Sequence, residues 1–362
     1  MRILLLTTEA YGGHGGIAQY NRDLIEAICN HPDCDEVVAF PRFVKNKPEE
    51  MPLNLTYVTE GTGSKIKFIL TVIKHLIGDR NFDLFICCHI NLSFLSILTN
   101  YILKAPILLF VYGIDVWQPT KSFINNLAIQ KIDAIVSISQ ITIDKFLQWG
   151  NIDHKKMYIL PNAIDLNEYG PSSKNKKLLD LYNLHDKRVL LTLGRISSDE
   201  RYKGFDEIIE IIPELLKEID NLVYMIAGDG SDRKRLEKKV KDLNIENHVI
   251  FTGYIKESEK KDYYRLADTF AMPGSGEGFG FVFLEAMACG IPVVASKVDG
   301  SREAVRNGLL GIMVDPYDSN DVKSGILNAL KKSRKVPCGL DFFSFNNFQE
   351  RLYRIINSII IK

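Results

Sequence analysis

Short apolar runs alternate with segments of helical periodicity along almost the whole chain. This alternation is typical of parallel βαβ units, whose strands are covered by helices on both faces and are therefore apolar throughout. The pattern predicts an α/β fold with two sets of strands. The first set is Ile3–Thr8, Val37–Phe40, Leu84–Cys88, Ile107–Val111 and Ala134–Ser139, and the second is Val189–Leu193, Val223–Ala227, Val249–Phe251, Thr269–Met272 and Pro292–Ala295.

A change in composition separates the two sets of strands. Asn167–Lys177 is rich in Pro, Gly, Ser, Asn and Lys, which is typical of a linker. A chain of 362 residues also fits two domains better than one core. We therefore predict an N-terminal domain of residues 1–168 and a C-terminal domain of residues 169–344. The tail, 345–362, has apolar positions along one helical face and is expected to complete the first domain.

Composition favours a globular protein of the cytoplasm. The 45 Lys and Arg residues balance 45 Asp and Glu residues, which argues against bulk nucleic-acid binding. No apolar run approaches the ~18–20 residues of a membrane span. The first run, Ile3–Leu6, is too short for a signal-peptide core and is predicted to be a buried strand. Six cysteines without a C-x-x-C pair favour reduced thiols.

Two glutamates, Glu277 and Glu285, flank a glycine-rich turn and the start of a predicted helix, Phe281–Cys289. Glycines let the backbone approach a ligand closely, and a helix N-terminus presents free N–H groups to an anion. A carboxylate can accept hydrogen bonds from two vicinal hydroxyls, as a sugar offers. Spacing alone leaves open an acidic helix turn with an incidental loop glutamate.

Two cations follow the first strand of the C-terminal set. Arg195 lies at the strand end, and Lys203 opens the next predicted helix. A guanidinium and an ammonium fixed there would stabilise the negative charge of a departing diphosphate. On spacing alone, two unrelated surface cations are an equally good interpretation.

A glycine-rich loop, Tyr11–Ile17, lies between the first strand and a predicted helix that runs to Asn30. Gly15 and Gly16 would place free backbone N–H groups at the helix start, as in a phosphate cradle. The loop lacks the G-x-G-x-x-G spacing, and no acidic residue closes the following strand, so a dinucleotide site is disfavoured.

His89 and Asp115 each follow a predicted strand, at the edge of the sheet where open α/β folds bind ligands. A lone histidine is more often structural than functional, so position alone does not assign His89 a role.

The chain resembles the retaining glycosyltransferase family 4, of the GT-B fold, nearly end to end. The resemblance is clearest in the E-x7-E segment with its Glu-Ala-Met-Ala-Cys-Gly ending. It implies two Rossmann-like domains with parallel sheets facing across a cleft. It also implies that Glu285 holds the donor ribose and Glu277 the transferred sugar. The backbone of Gly278, Phe279 and Gly280 would contact the sugar or the phosphates.

The same resemblance extends to the other motifs. Arg195 and Lys203 occur in the family's order and spacing and would bind the donor phosphates. The glycine loop with Gly15 and Gly16 would lie near those phosphates and the acceptor. The backbone of Gly253, Tyr254 and Ile255 would contact the nucleotide base.

The segment Val111–Trp117 resembles the family's histidine-glycine-x-acid motif and supplies Asp115, but it departs from the motif at one position. Tyr112 stands where many members carry the histidine that contacts the transferred sugar. Either Tyr112 or His89 would take over its hydrogen bond, and the sequence does not choose between them.

Together these features predict transfer of a hexose or deoxyhexose from a nucleoside diphosphate sugar to a saccharide or lipid-linked saccharide acceptor, in surface polysaccharide synthesis. Neither a cofactor nor a metal is expected. The chain's one Asp-x-Asp, Asp33–Asp35, lies in a predicted turn, and Arg195 and Lys203 can meet the phosphate charge. The alternatives are a catalytically silent sugar-nucleotide-binding partner of another transferase and, less favoured, an NAD-dependent oxidoreductase.

One further segment, Lys65–Ile77, allows two interpretations. Its apolar residues fall at helical spacing among three lysines, as in a basic amphipathic helix that lies on a membrane and meets lipid-linked acceptors. Phe68 and Val72 widen the apolar face, which favours a helix packed on the sheet. The inner face of the membrane is accordingly the alternative to a free cytoplasmic location.

Overall fold

A computed structural model describes residues 1–48 and 50–360 of the chain. They form two compact units. Unit 1 comprises Met1–Ala163 and Phe345–Lys362, and unit 2 comprises Ile164–Ser344. The chain enters unit 2 five residues before the predicted boundary at 168, because Ile164 donates a backbone hydrogen bond to Phe343 and pairs with Ser344 at the other end of the unit.

The described part of unit 1 contains one sheet of seven strands in the order β3-β2-β1-β4-β5-β6-β7, and every pairing is parallel. The strands are β1 Arg2–Thr7, β2 Glu36–Pro41, β3 Leu55–Tyr57, β4 Leu84–Cys88, β5 Ile107–Val111, β6 Ala134–Ser137 and β7 Met157–Ile159.

Helices in unit 1 connect these strands and cover the sheet. They are α1 Gly16–Cys29, α2 Lys65–Gly78, α3 Phe94–Leu103, α4 Phe123–Ala128 and α5 Gln140–Gly150. One buried cluster joins the strands to residues of α2, α3 and α5, including Phe68, Leu95 and Phe146. Since those three helices share one core with the sheet, they lie on the same face of it.

Unit 2, which is described throughout, contains a six-stranded parallel sheet in the order β10-β9-β8-β11-β12-β13. Its strands are β8 Arg188–Leu193, β9 Leu222–Ala227, β10 Val249–Gly253, β11 Thr269–Ala271, β12 Val293–Ser296 and β13 Ile312–Val314. Its helices are α6 Lys176–Tyr182, α7 Phe205–Leu216, α8 Arg233–Asp242, α9 Lys260–Leu266, α10 Phe281–Ala288, α11 Ser301–Ala304 and α12 Ser319–Leu330.

The last helix, α13 Phe345–Ile360, returns to unit 1 and packs on α1. Phe348 contacts the ring of Tyr20 edge to face at 5.6 Å, and Leu352 and Ile356 are fully buried. This is the helix expected from the apolar face of the tail. The final residues of the predicted segment, Ile361 and Lys362, lie outside the described residues.

The predicted fold class is confirmed, and all ten predicted strands are present, with Leu84–Cys88 and Ile107–Val111 correct to the residue. Within the described chain, the sequence missed β3, β7 and β13. Each has three residues and lies at the edge of its sheet, and each is partly exposed. A short edge strand is covered on fewer sides, so it lacks the continuous apolar run on which the prediction depended.

Candidate functional site

In unit 2, the loops that follow β8, β9 and β10 are packed against one another. The backbone N–H of Gly194 donates to the carbonyl of Ala227 at 2.9 Å, and that of Gly228 donates to the carbonyl of Gly253 at 3.0 Å. Gly228 has a φ of 146°, and a Cβ there would lie 1.9 Å from the carbonyl oxygen of Gly194. The loop after β9 therefore lies between the loop that carries Arg195 and the predicted base-binding segment.

A second contact joins the Arg195–Lys203 loop to the Glu277 loop. Ser275 donates its backbone N–H to the carbonyl of Tyr202 at 2.8 Å. A Cβ on Gly276 would lie 2.6 Å from the ring of Tyr202, so only glycine allows the two loops to meet this closely. The loop that carries the two predicted cations and the loop that carries Glu277 thus lie against each other within unit 2.

Glu200, which sequence analysis did not single out, holds both predicted cations. Its carboxylate accepts hydrogen bonds from the Arg195 guanidinium, one of them from Nε at 3.2 Å, and lies 3.4 Å from Nζ of Lys203. The Glu200 side chain is 14% exposed, whereas that of Arg195 is 70% exposed. Burial acts to raise the pKa of Glu200, but Arg195 and Lys203 outweigh burial and lower it. The hydrogen bond to Glu200 raises the pKa of Arg195.

Asp299 holds the turn that contains Glu277 through a hydrogen bond to its backbone. The Asp299 carboxylate accepts the backbone N–H of Glu277 at 2.9 Å and the hydroxyl of Ser301 at 2.6 Å. Gly300 also donates its N–H to the Glu277 carbonyl at 2.8 Å. Burial raises the pKa of Asp299 to about 6, against the lowering effect of these donors. Among residues 1–48 and 50–360, the half-buried Glu277 carboxylate shows no hydrogen-bond partner, so it is available to a ligand.

Glu285 is buried on α10, one turn inside the helix, and its carboxylate accepts two side-chain donors from α9. The Tyr264 hydroxyl lies 2.6 Å from Oε2, and Nζ of Lys260 lies 3.2 Å from Oε1. Burial acts to lower the pKa of Lys260, but Glu285 and Glu257 outweigh it and raise that pKa. A ligand hydroxyl at Glu285 would therefore meet a carboxylate that is already oriented and charge-compensated.

The start of α10 offers backbone donors. Gly280 is its N-cap residue, and no side chain in the described chain caps this helix start. The Phe279 ring is buried against Phe343, with ring centroids 5.6 Å apart. A ligand at this helix start would meet the main chain rather than the buried Phe279 side chain, and main-chain contacts at Gly278, Phe279 and Gly280 are what the family resemblance implies.

The predicted base-binding segment lies at the end of the edge strand β10. The Tyr254 side chain is 73% exposed, whereas Ile255 is buried. The segment thus combines a glycine of positive φ, Gly253, with an exposed aromatic ring. A ring in this position can stack on a nucleobase, which is a contact that backbone-only recognition would not include.

In unit 1, the glycine loop leads into α1 as predicted. Gly15 is the N-cap residue of α1, and the described chain provides no capping side chain and no acidic residue in the first turn. Gly15 and Gly16 are both exposed. These features leave the positive end of the helix dipole open to an anion.

The Tyr112 hydroxyl is engaged within unit 1. It donates to Oδ1 of Asn21 at 2.6 Å, and the amide of Asn21 donates in turn to Thr7 and to the carbonyl of Glu9, both at 2.7 Å. The Tyr112 ring also packs edge to face on Tyr20 at 5.4 Å. Tyr112 is therefore a buried link between β5 and α1, and Asn21 is a residue that no sequence pattern pointed to.

His89 and Asp115 both lie close to Tyr112. The His89 ring centroid is 6.4 Å from that of Tyr112, and its Nδ1 accepts the N–H of Asn91 at 3.0 Å. Asp115 accepts the N–H of Tyr112 at 3.1 Å. Burial lowers the pKa of His89 to about 4, and burial raises the pKa of Asp115 to about 7 despite its backbone donors. Near neutral pH the imidazole is uncharged.

The structure therefore groups the predicted residues by unit. The loops that carry Arg195, Lys203 and Glu277 touch in unit 2, and His89 and Asp115 lie close to Tyr112 in unit 1. Sequence analysis missed the residues that orient them, which are Glu200, Lys260, Tyr264, Asp299 and Asn21. Only Glu200 could have been suspected, since it lies between the two predicted cations. In the described residues, no group of three or more His, Cys, Asp or Glu is placed to hold a metal ion.

Comparison with known proteins agrees with this division. Residues 178–337, which lie within unit 2 and include Arg195, Lys203, Glu277 and Glu285, match the family model described as glycosyl transferases group 1. A GDP-mannose-dependent alpha-(1-6)-phosphatidylinositol monomannoside mannosyltransferase of Mycolicibacterium smegmatis is 33% identical over 49% of this chain and 47% of its own length. The mannosylfructose-phosphate synthase of Agrobacterium fabrum is 26% identical over 56% of this chain and 46% of its own.

The chain spans about half the length of these curated relatives. Solved structures match it over nearly the whole length. Anabaena Alr3699/HepE in complex with UDP has a TM-score of 0.76 at 19% identity, covering 99% of this chain and 100% of that one. A glycosyltransferase from Rickettsia africae has a TM-score of 0.76 at 17% identity, covering 99% and 98%. The likeness supports the predicted GT-B class of two Rossmann-like units.

The opposite pKa shifts of His89 and Asp115 predict opposite effects of pH on the stability of unit 1. Asp115 binds its proton more tightly in the folded state, so its contribution to stability falls as pH rises from about 4 to about 7. His89 binds its proton more weakly when folded, so its contribution rises between about pH 4 and 6.5. The two contributions partly cancel in the wild-type protein.

We expect Asp115→Asn to gain stability relative to wild type as pH rises from 4.5 to 7, and His89→Asn to lose it, each by on the order of 1–2 kcal/mol. Urea denaturation at a series of pH values measures this. Tryptophan fluorescence reports on unit 1, since both tryptophans of the chain, Trp117 and Trp149, lie there. Parallel pH profiles for all three proteins would contradict the prediction.

Proposed function

We propose that the protein is a retaining glycosyltransferase that transfers a hexose or deoxyhexose from a nucleoside diphosphate sugar to an acceptor hydroxyl. The observation that carries this proposal is the joined pair of loops in unit 2. One of these loops carries the Arg195 and Lys203 cations, and the other carries Glu277, whose carboxylate has no hydrogen-bond partner among the described residues. The match of residues 178–337 to glycosyl transferases group 1 supports it.

In the proposed complex, each part of the donor meets a suitable group in unit 2. Glu285 accepts the ribose hydroxyls, and the base lies against Gly253 and Tyr254. The open start of α10 and the two cations bind the diphosphate, whose negative charge grows as the glycosidic bond breaks. Glu277 accepts hydroxyls of the transferred sugar. Since the cations meet the phosphate charge, we propose that transfer needs no metal and no cofactor.

The proposed route retains the configuration of the sugar. Both glutamates have binding roles, so we assign no nucleophile. The acceptor hydroxyl attacks the anomeric carbon from the face that the diphosphate leaves, and a phosphate oxygen of the donor takes the acceptor proton. A sugar trapped covalently on Glu277 would overturn this route.

Unit 1 is the proposed acceptor side. The Tyr112 hydroxyl already donates to Asn21, so we assign the sugar-contacting role of the family histidine to His89 rather than to Tyr112. Its uncharged imidazole can donate or accept a hydrogen bond at neutral pH. Asp115 holds the backbone of Tyr112 in place.

The proposed acceptor is a saccharide or a lipid-linked saccharide, and the proposed process is the synthesis of surface polysaccharide in the cytoplasm. The names of two similar proteins support a nucleoside diphosphate sugar as the donor and a lipid-linked saccharide as the acceptor. The mycobacterial relative is named for GDP-mannose and a phosphatidylinositol mannoside, and HepE binds UDP.

Thermal unfolding with nucleotides tests the donor site. We expect one of UDP, GDP, ADP, dTDP and CMP to stabilise the wild-type protein without added metal. Ligand at a hundred times its dissociation constant contributes about 2.7 kcal/mol. This corresponds to roughly 5–10 °C for a unit the size of unit 2. Arg195→Ala and Glu285→Ala should each lose most of this shift, measured from their own ligand-free midpoints.

Matched variants control for nonspecific effects. Arg201 lies in the same loop as Arg195 but pairs with Asp232 at 3.0 Å, so Arg201→Ala should keep the shift. Glu246→Ala removes an exposed carboxylate of the same unit. Stabilisation by NAD and by no nucleoside diphosphate would refute the proposal and favour an oxidoreductase. Binding without donor hydrolysis or transfer would favour a catalytically silent partner.

Glu200 gives a second prediction. Its carboxylate occupies Arg195 and Lys203, so it competes with a diphosphate for the same two cations. We expect Glu200→Gln to lower the dissociation constant for the stabilising nucleotide by roughly fivefold to tenfold, or about 1–1.4 kcal/mol. Titration calorimetry measures the change.

The control for this variant is Asp199→Asn. It removes the same charge from the neighbouring position, where the carboxylate forms no ion pair within the described residues. It should change the dissociation constant less than twofold. Weaker binding by Glu200→Gln would show instead that Glu200 positions Arg195 for the ligand.

A further inference from the structure

Helix α2 has two apolar stripes, and the sheet covers only one of them. Phe68, Val72 and Leu76 are fully buried in the core of unit 1. Ile66, Leu70 and Ile77 remain exposed along the outer side of the same helix. The helix thus packs on the sheet and still presents an apolar face outward.

The neighbouring helices extend this face. Nζ of Lys65 at the start of α2 lies 5.3 Å from the ring centroid of Phe94 on α3, and the Ser93 hydroxyl before α3 donates to the carbonyl of Asn125 on α4 at 3.3 Å. In their described residues, α2, α3 and α4 leave seven large apolar side chains between 50% and 79% exposed. These are Ile66, Leu70, Ile77, Tyr101, Phe123, Ile124 and Leu127, which we call the α2–α4 surface.

Charge on these helices has one sign. None of the chain's 45 Asp and Glu residues falls in 65–78, 94–104 or 121–131, whereas those segments contain six lysines. Beside α2, a surface groove of about 430 Å³ is lined by both kinds of group: Ser64, Ile66, Lys67, Leu70, Thr71 and Lys74. The α2–α4 surface is therefore apolar and cationic within a chain of zero net charge.

We propose that the α2–α4 surface docks on a bilayer that contains anionic phospholipid. Exposed aliphatic and aromatic side chains gain by entering the acyl region, and adjacent lysines gain by meeting lipid phosphates. Lysine stems can lie along apolar surface while their ammonium groups reach the headgroups. Lys67 and Lys74 line the same groove as Ile66 and Leu70, and an anionic bilayer offers acyl chains to the apolar side chains and phosphates to the lysines.

Attachment of this kind is peripheral and reversible. No helix in the described residues is long and apolar enough to cross a membrane. Seven side chains that enter only the interface bind more weakly than a spanning helix, and their electrostatic share falls as salt rises. The proposal is independent of the transfer chemistry, because it involves none of the proposed donor or acceptor residues.

Vesicle co-sedimentation of the full chain tests the proposal. We expect wild type to bind vesicles of phosphatidylcholine with 30% phosphatidylglycerol at least tenfold better than vesicles of phosphatidylcholine alone, with the preference lost at 0.5 M KCl. The combined Ile66→Ser, Leu70→Ser and Ile77→Ser variant should bind the anionic vesicles at least tenfold more weakly. Lys67→Glu with Lys74→Glu should do the same.

The matched control changes three apolar residues of unit 2 that are 66–77% exposed, through Leu181→Ser, Leu309→Ser and Tyr317→Ser. It should bind like wild type. Tryptophan fluorescence checks that unit 1 is folded in every variant, and nucleotide stabilisation of unit 2 should be unchanged. The proposal is overturned if the wild-type protein binds neither kind of vesicle. It is also overturned if the unit 2 control variant loses as much vesicle binding as the α2 variants do. A wild-type dimer dispersed only by the α2 variants would identify a protein interface instead.

Discussion

The close backbone contact between residues 202–203 and residues 273–276 is the constraint on which the unit 2 site depends. A Cβ on Gly274 would lie 2.4 Å from the Tyr202 carbonyl oxygen, and one on Gly276 would enter the Tyr202 ring. Because these glycines have no side chain, the loop after β8 and the loop after β11 can touch. Two motifs that are far apart in sequence therefore supply one set of charges.

The predicted site residues of unit 2 carry several charges, and the protein compensates these charges with internal ion pairs. Glu200 compensates Arg195 and Lys203, and Lys260 compensates the buried Glu285. Removing one partner of a buried pair costs more than the pair contributes, so a ligand group that binds Arg195 and Lys203 must replace the Glu200 contact there. A diphosphate can do this at the cations, where Arg195 is still largely exposed, while Glu285 keeps its partners and uses its remaining lone pairs.

Sequence patterns predicted the fold well because a buried parallel strand must be apolar along its whole length, as β4 and β5 are. The same dependence explains the missed edge strands β3, β7 and β13. For the candidate site, residues at strand ends and in glycine turns were predictable, because chain position alone places them at one edge of a sheet. Asn21, Tyr264 and Asp299 could not be predicted in this way. Each forms a hydrogen bond with a residue that is distant in sequence, and such a pair produces no pattern along the chain.

Residue type did not predict the orientation of the Tyr112 side chain, and hydrophobic periodicity did not predict which face of α2 is buried. A tyrosine in place of a histidine could point its hydroxyl toward a ligand or into the protein, and only the position of Asn21 decides that it points into the protein. Likewise, helical periodicity shows that α2 has apolar stripes but not which one the sheet covers. The buried stripe contains Phe68 and Val72, the two residues that favoured packing on the sheet, and the exposed stripe contains Ile66 and Leu70. Packing thus determines which side chains remain available to a ligand or a membrane. The apolar residues that packing leaves exposed indicate a binding surface, just as the residues that it buries indicate the core.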